Sequence, residues 1–297
     1  MSHFLSAGQL ERADVERLLA SAKLLESKGA PRRRDTFVAL AFFEDSLRTR
    51  IGFQVAATRL GADTVALDAP KRTPRMSSAE SFADTIRSVA GWCDAICIRH
   101  PDANAVTEVA ELVESPLINC GNGTEEHPTQ ALVDLFAISR LRGEIDGVRL
   151  GLVGDLEGMR AVHSLALAVS RFDDIFVRCI APAGLGLPEG FTKPLLDAGH
   201  EVEQTETMAI DDLDVVYMAG LPASTAIGRL DPARRAAFRL DREAAAGMRP
   251  GAHVLCPLPR VDEIDADLDG TPRAAYFAQS DMALPMRMAI LDEMLQA

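Results

Sequence analysis

The stretch FFEDSLRTR, Phe42 to Arg50, joins an apolar segment at Thr36–Ala41 to an amphipathic segment at Ile51–Leu60. The first segment has the composition of a buried strand and the second has a helical period, so the stretch is a strand-to-helix turn. Ser46 then lies where the helix begins, with arginines in its first turn. A helix N-terminus offers unpaired N–H groups and the positive end of the helix dipole. The turn therefore predicts an anion-binding site, with an ordinary serine cap as the alternative.

Short apolar segments alternate with amphipathic ones along the 297 residues. Strands are predicted at Thr36–Ala41, Thr64–Leu67, Ala95–Ile98, Leu117–Asn119, Arg149–Val153, Ile175–Ile180, Val215–Met218 and His253–Leu255. Helices are predicted at Ile51–Leu60, Glu80–Ala90, Ala105–Val113 and Gln130–Leu141. Such alternation is typical of parallel sheets with helices on both faces. The predicted fold class is therefore α/β, with doubly wound parallel sheets.

The chain length and a break in the alternation predict two domains. The break falls near Arg142–Glu144, so the first domain is placed at residues 1–142 and the second at 143–282. A last helix near Ala283–Leu295 has Pro285 in its first turn, where proline is tolerated. This helix, within residues 283–297, is expected to return to the first domain.

The composition excludes several classes of function. The formal net charge of −13 argues against nucleic-acid binding, which needs an excess of Lys and Arg. No apolar run approaches the roughly 20 residues that span a bilayer, and no signal-peptide pattern begins the sequence. The five cysteines are scattered, without metal-ligand spacing. We therefore expect reduced, buried thiols in a cytoplasmic protein that needs no metal or cofactor and binds no membrane.

Polar residues collect where the predicted strands end. Arg99 follows one strand, His127–Gln130 follows the next, Arg160 follows the first strand of the second domain, and Pro257–Leu258 follows the last strand. Each of these residues, taken singly, has an ordinary structural explanation as a surface charge, a helix cap or part of a stiff loop. Ligands of open α/β sheets bind just outside the carboxyl ends of the strands. Because polar residues follow four different strand ends, we favour a shared binding site.

Three segments carry a resemblance to a known family: Phe42–Arg50, the HPTQ sequence His127–Gln130, and PLPRVDEI at Pro257–Ile264. They resemble the signature segments of aspartate carbamoyltransferase catalytic chains, within the aspartate/ornithine carbamoyltransferase superfamily. The similarity covers nearly the whole chain in the expected order. It implies a carbamoyl-phosphate-binding domain followed by an amino-acid-binding domain. It further implies a homotrimer, or a higher assembly of trimers, with active sites between subunits.

The resemblance also implies roles for residues of the first domain, residue by residue. Ser46, Arg48 and Thr49 would bind the phosphate of carbamoyl phosphate. Arg99 and His127 would hold the carbamoyl group. Transfer of this group needs no protein nucleophile, because an amine attacks the carbonyl carbon and phosphate leaves. Donors aimed at the developing oxyanion then supply the main stabilisation, so Arg48, Arg99 and His127 are the predicted catalytic residues.

The remaining roles concern the acceptor and its orientation. Gln130 would also hold the carbamoyl group, and Arg160 would pair with the α-carboxylate of an amino-acid acceptor. The backbone carbonyls of Pro257 and Leu258 would orient the reacting amine. Closing the two domains around both substrates would contribute orientation to the reaction.

Five positions depart from the family pattern, one of which is Ala79, where the family has a glycine. Ser78 stands where the family places a catalytic lysine; Lys71, Arg72 and Arg75 lie in the same loop. Gly220 stands where the family has an arginine that grips the side-chain carboxylate of aspartate, and losing such a contact typically costs a factor of roughly 10² or more. Leu47 replaces a threonine and Cys256 replaces a histidine.

These departures leave three hypotheses. The first is a carbamoyltransferase whose acceptor is an amino acid without the second carboxylate of aspartate, as the retained Arg160 favours. The second is a catalytically impaired or inactive paralogue with a binding or structural role in an assembly, as Ser78 favours. The third is aspartate carbamoyltransferase activity with substitute cations from the same loops.

Overall fold

The computed structural model describes residues 2–29, 33, 35–68, 80–221 and 232–296. They form two compact units, the first comprising Met1–Thr129 with Ala283–Ala297 and the second comprising Gln130–Met282. Each unit contains a parallel sheet flanked by helices. The predicted α/β fold class is confirmed.

The first unit is built on a four-stranded sheet. Its strands are β1 (Phe37–Phe42), β2 (Asp63–Asp68), β3 (Ala95–His100) and β4 (Leu117–Asn122), in the order β2-β1-β3-β4. All three pairings are parallel. Its helices are α1 (Arg12–Lys28), α2 (Leu47–Leu60), α3 (Phe82–Ala90), α4 (Ala105–Ala110) and the first residues of α5 (Pro128–Arg142). The carboxyl ends of β1, β3 and β4 therefore lie at one edge of the sheet. The candidate residues of this unit lie at or after these strand ends.

The helix α2 follows β1 because the sequence changes period at Ser46. Residues Val38 to Phe42 are all buried, as in a central parallel strand. In α2 the buried residues include Phe53, Ala56 and Leu60, which share one face of the helix. Gly61 then ends the helix in the left-handed conformation, with φ 80°, the role that glycine fills at helix C-termini.

The second unit is built on a five-stranded sheet. Its strands are β5 (Arg149–Gly154), β6 (Phe176–Ile180), β7 (Glu201–Thr205), β8 (Val215–Gly220) and β9 (His253–Leu255), in the order β7-β6-β5-β8-β9. All of its pairings are parallel. Its helices are α5, α6 (Arg160–Val169), α7 (Glu189–Asp197), α8 (Pro232–Ala236), α9 (Arg242–Ala246) and the start of α10 (Tyr276–Met294). The carboxyl ends of β5, β8 and β9 again precede candidate residues.

Two expectations from the sequence were wrong. The edge strand β7 was not predicted, because its sequence EVEQT is polar and every residue in it is partly or fully exposed. The last helix begins at Tyr276, well before Ala283, and Pro285 lies inside it rather than in its first turn. The part of α10 from Ala283 onward belongs to the first unit.

The cysteine prediction is confirmed, since all five cysteines are free and buried. Burial raises the pKa of Cys179 to about 12, which keeps that thiol protonated and unreactive at neutral pH. None of the described helices combines the length and apolar character that a membrane span requires.

Candidate active site

Ser46 occupies the N-cap of α2, but its hydroxyl makes no capping hydrogen bond to the helix. It instead accepts a hydrogen bond from Nη1 of Arg99, at 3.3 Å. Arg99 lies at the carboxyl end of β3, next to the end of β1. The first-turn N–H groups of α2 are therefore left for another acceptor, which favours an anion over the ordinary cap.

Arg48 lies in the first turn of α2 with an exposed side chain. Within the described ranges, no hydrogen bond or salt bridge engages its guanidinium. Its neighbour Thr49 is buried, only 6% exposed. The first turn of α2 thus presents one uncommitted cation beside a buried hydroxyl, a pairing suited to a phosphate group.

Arg99 is held by Glu44 in this structure. Nε and Nη2 of Arg99 each lie 3.2 Å from a carboxylate oxygen of Glu44, and the arginine side chain is only 12% exposed. This fork-to-carboxylate geometry is the strong form of the pair. An anion at Ser46 would compete with Glu44 for the same guanidinium.

His127 is buried between two threonine hydroxyls. Its Nε2 lies 3.4 Å from Oγ1 of Thr49, and its Nδ1 lies 3.2 Å from Oγ1 of Thr129. Burial, with a smaller contribution from the cation Arg287, lowers the pKa of His127 to about 3. The imidazole is therefore neutral at pH 7, with one ring nitrogen as a donor and the other as an acceptor. A neutral donor suits a carbonyl oxygen that gains negative charge during the reaction.

In the second unit, Gln130 belongs to a buried hydrogen-bonded cluster around Asp134. Gln130 and Gln279 each donate from Nε2 to Oδ1 of Asp134, at 2.7 and 2.6 Å. The hydroxyl of Tyr217 donates to Oδ2 of Asp134, at 2.9 Å. Sequence reasoning missed this cluster, although the spacing of Gln130 and Asp134 places both on one face of α5.

The cluster places an ionisable group away from water. Burial raises the pKa of Asp134 to about 7, against the opposing effect of its three donors. Burial and, to a smaller extent, the carboxylate of Asp134 raise the pKa of Tyr217 well above its usual value. Asp134 therefore changes protonation close to neutral pH, while Tyr217 remains a hydrogen-bond donor.

The Asp134 cluster extends to the segment after β9. Oε1 of Gln279 accepts a hydrogen bond from the backbone N–H of Cys256, at 2.9 Å. The next residues include Leu258, whose φ of 52° lies in the left-handed region, an unfavourable conformation for a side chain with a Cβ. Backbone that is held in such a conformation is typical of binding sites. Gln130 and the Pro257–Leu258 segment are thus joined through Asp134 and Gln279.

Arg160 is the first residue of α6, directly after the turn that follows β5. Its side chain is partly buried. That turn is fixed by Asp155, which is 1% exposed and accepts a hydrogen bond from the N–H of Gly158, at 2.8 Å. A cation at this strand end is placed where ligands of open α/β sheets bind.

The surroundings of Gly220 contain a carboxylate instead of the family's arginine. Gly220 has φ 84°, and a Cβ there would lie 3.2 Å from the carboxyl carbon of Glu263. Glu263 is 6% exposed and accepts hydrogen bonds from the N–H groups of Val261 and Asp262. The left-handed backbone and the nearby carboxylate both favour glycine at this position.

A cavity of about 170 Å³ lies beside the end of β8. Among the described residues, those that line it include Leu221, Phe238, Arg235, Arg239, Asp262 and Glu263. Arg235 pairs with Asp262 at 2.6 Å. Arg235 and Arg239 thus place two cations at a cavity that is also lined by Leu221, the residue after Gly220.

The candidate residues thus fall into two groups. The first unit holds Ser46, Arg48, Thr49, Arg99 and His127, and hydrogen bonds or close contacts join Ser46 to Arg99 and Thr49 to His127. The second unit holds Gln130, Arg160, Pro257 and Leu258. The sequence positions Ser78, Lys71, Arg72 and Arg75 lie outside the described residues.

Comparisons with known proteins also divide the chain into two domains, with a boundary between residues 140 and 146 that places Gln130 in the first domain. The family model of the aspartate/ornithine carbamoyltransferase carbamoyl-P binding domain matches residues 2–140, and that of the Asp/Orn binding domain matches residues 146–294. The aspartate carbamoyltransferase catalytic subunit of Methanosphaerula palustris is 38% identical, over 99% of this chain and 100% of the relative. That of Archaeoglobus fulgidus is 36% identical, over 99% of both chains.

Solved structures give the same result. The catalytic subunit of M. jannaschii aspartate transcarbamoylase has a TM-score of 0.90 and 33% identity, over 100% of this chain and 98% of that one. Aspartate transcarbamoylase from Trypanosoma cruzi, in complex with carbamoyl phosphate and aspartate, has a TM-score of 0.90 and 33% identity. The match covers 98% of this chain and 94% of that one. The chain belongs to the aspartate/ornithine carbamoyltransferase family.

Proposed function

We propose that this protein transfers the carbamoyl group of carbamoyl phosphate to the amino group of an amino acid. The observation that carries the proposal is the start of α2, where Ser46, Arg48 and Thr49 surround a helix N-terminus beside Arg99 and the neutral His127. Such a turn binds a phosphate ester through N–H groups and cations without a glycine-rich loop. The family membership supplies the reaction class that this arrangement fits.

The chemistry of each group follows from its environment. Arg48 and the α2 N-terminus stabilise the phosphate as it leaves, and Arg99 exchanges its pairing with Glu44 for the substrate. The ring N–H of His127 donates to the carbonyl oxygen as negative charge develops on it. Donors of this kind typically contribute 10²–10³ in rate. Free cysteines without disulfides are consistent with a location in the reducing cytoplasm.

Arg160 is the proposed partner of the α-carboxylate of the acceptor, and the identity of the acceptor side chain depends on the region around Gly220. A side-chain carboxylate placed at Gly220 would meet the buried carboxylate of Glu263, which disfavours it electrostatically. Aspartate would then depend on Arg235 or Arg239 for its second carboxylate. An acceptor with a neutral or cationic side chain would not need either.

The function is tested by turnover at saturating carbamoyl phosphate across a panel of amino acids that includes aspartate, ornithine, asparagine and glycine. We expect enzymatic carbamoylation of at least one member of the panel. A reaction without protein gives the uncatalysed background, and the His127→Ala variant, which lacks the proposed oxyanion donor, should be slower than the wild type by about 10²–10³. Wild-type rates equal to the background with every acceptor would contradict an enzymatic function.

The second candidate function is that of a non-catalytic paralogue that binds carbamoyl phosphate within an assembly. The sequence observation that favours it is the serine at position 78 and the glycine at position 220, where the family has two cations. The same panel separates the two functions. Carbamoyl phosphate binding measured by titration calorimetry, without turnover of any acceptor, would favour the paralogue.

We further propose that the chain forms the homotrimer, alone or in a larger assembly, that the family resemblance implies. The α2 helix supports this proposal with a stripe of three exposed apolar residues, each one helical turn from the next. Leu47 is 73% exposed, Ile51 is 50% exposed and Val55 is 38% exposed. Contiguous exposed apolar side chains typically mark protein interfaces. A neighbouring subunit is the proposed partner of this stripe.

Replacing Ile51 with glutamate is expected to dissociate the trimer, because it places a charge in the middle of the proposed apolar contact. In sedimentation velocity at micromolar concentration, the mass should fall about threefold, to the 32.0 kDa of one chain. Leu196→Glu, at a 54% exposed leucine of α7, is the control and should leave the mass unchanged. An intact trimer in Ile51→Glu would show that the stripe is not an interface.

A further inference from the structure

The parallel sheet of the second unit has its topological switch point between β5 and β8. The chain runs outward from β5 through β6 and β7, and then returns to the other side of β5 to form β8 and β9. Ligands of open α/β sheets bind outside the carboxyl ends of the strands at such a point. The two strands end at Gly154 and Gly220, which are paired with each other. A ligand of this unit is therefore expected to bind beside Gly220.

The backbones of the two strand ends approach each other closely. The N–H of Asp155 donates to the carbonyl oxygen of Gly220, at 2.8 Å, and a Cβ at Gly154 would overlap the same oxygen. A side chain is thus excluded at position 154, and position 220 has none. The charge that a ligand meets at these strand ends is therefore set by side chains from other segments.

Glu263 supplies a buried charge beside Gly220. Its two carboxylate oxygens lie 3.3 and 3.4 Å from where a Cβ of Gly220 would be. Oε2 accepts hydrogen bonds from the N–H groups of Val261 and Asp262, at 2.9 and 3.1 Å. Within the described residues, Oε1 has one hydrogen-bond partner, the thiol of Cys256 at 4.0 Å, and a thiol is a weak donor. One oxygen of this carboxylate can therefore accept from a stronger donor.

The two arginines of the neighbouring cavity are paired with other carboxylates. Arg235 donates to Asp262 from Nε and from Nη2, each at 2.6 Å, and Arg239 pairs with Asp265. The hydrogen bonds to Asp262 are the main cause of the raised pKa of Arg235, and the charge of Glu263 is a smaller one. Across the described ranges, no salt bridge engages Glu263. A buried carboxylate without a paired cation is costly, which favours a cationic ligand.

Two of the departures from the family pattern meet at this carboxylate. Gly220 stands where the family has an arginine, and Cys256 stands where it has a histidine. Both positions lie against Glu263. Each substitution removes a side chain that can carry a positive charge, while the carboxylate between them is retained. A cation on the ligand would replace the charge that these two positions do not supply.

We propose that Glu263 is a specificity-determining residue, and that the amino-acid acceptor has a cationic side chain, an ammonium or a guanidinium, that pairs with it. This inference rests on the proposed function and names the class of its second substrate. Arg160 remains the proposed partner of the α-carboxylate. The second unit then offers the acceptor one cation and one anion, each matched to an opposite charge of the amino acid.

The probes are L-2,4-diaminobutyrate and L-norvaline, whose side chains have the same shape and differ by an ammonium in place of a methyl group. Carbamoylation of the α-amino group is measured as kcat/KM with the full-length protein at saturating carbamoyl phosphate. Glu263→Gln keeps the shape and an acceptor oxygen for the two backbone N–H groups but removes the charge. We expect the ratio of kcat/KM for diaminobutyrate to that for norvaline to fall at least about tenfold in this variant. Comparing the ratio between two proteins cancels the different reactivities of the two amines.

The matched control is Glu189→Gln, at an exposed glutamate in the first turn of α7. It removes the same charge elsewhere in the second unit and should leave the ratio unchanged. L-Aspartate is the third acceptor. We expect the wild type to use it at least about tenfold less well than diaminobutyrate, because its side chain would face Glu263 with a like charge.

A purely structural role of Glu263 gives a different result. Glu263→Gln would then lower kcat/KM for both probes by the same factor, and an unchanged ratio overturns the inference while the proposed function stands. If Glu263→Gln does not fold, the wild type decides alone, since faster use of aspartate than of diaminobutyrate also overturns the inference. If no acceptor reacts above the background without protein, the proposed function fails and the inference fails with it.

Discussion

Replacing Arg48 with alanine is expected to lower the affinity for carbamoyl phosphate by about 100-fold or more. The reason is that Arg48 is an exposed cation in the first turn of α2, and its guanidinium pairs with no carboxylate among the described residues, so its charge can act on a ligand. Isothermal titration with carbamoyl phosphate measures the change.

The matched control for this prediction is Arg59→Ala, which removes an exposed arginine from the other end of the same helix. The control should bind as tightly as the wild type, since the attraction between exposed charges falls off over a distance of about 10 Å at moderate salt. Unchanged affinity in Arg48→Ala would remove the anion-binding interpretation of the turn. Equal losses of affinity in Arg48→Ala and Arg59→Ala would show that binding depends only on net charge.

The second large effect is expected at Asp134. Asp134→Ala leaves the buried donors of Gln279 and Tyr217 without an acceptor, at about 1–3 kcal/mol each, so the free energy of unfolding should fall by several kcal/mol. Asp134→Asn is the matched control, because its amide keeps the shape and one acceptor oxygen for Gln130 and Gln279, while its NH2 group can donate to the hydroxyl oxygen of Tyr217. Denaturant unfolding of the three proteins at pH 7 measures the difference. Equal losses in both variants would show that the charge, not the hydrogen bonds, matters.

The raised pKa of Asp134 also predicts a dependence on pH. Its pKa is 3.8 in a model compound and about 7 in the folded protein, so the folded state binds the proton more tightly. This contribution is complete below about pH 4 and is lost as pH rises to about 7. The wild type should therefore lose a few kcal/mol relative to Asp134→Asn over that range, since one pKa unit corresponds to about 1.4 kcal/mol. Parallel stability curves for the two proteins would contradict the shift.

The fold was predictable from the sequence because its central strands are buried on both faces. Strands such as β1 and β8 read as continuous apolar runs, which sequence analysis detects. The edge strand β7 was missed because only one neighbour covers it and its residues remain polar. The start of α10 was misplaced because Pro285 is usually a boundary signal, whereas here the helix continues through it.

The candidate site was only partly predictable for a related reason. Residues within a dense motif, such as Ser46, Arg48 and His127, were found because several polar residues cluster in sequence. Asp134 and Arg287 are single charged residues within apolar stretches of their helices, and apart from Gln130 the groups that they face lie far away in sequence. Only the three-dimensional structure shows that each faces polar groups of the candidate site.

The first unit is assembled from both ends of the chain, which has a consequence for biosynthesis. Arg33 forms a salt bridge with Asp292 at 2.6 Å, and Arg17 forms one with Glu293 at 2.9 Å. A chain emerging from the ribosome can begin to fold its N-terminal segments early, but Asp292 and Glu293 are translated only after the whole second unit. The first unit would then be completed only after the second unit has been translated, so a premature stop codon before Ala283 would yield a product with an unfinished first unit.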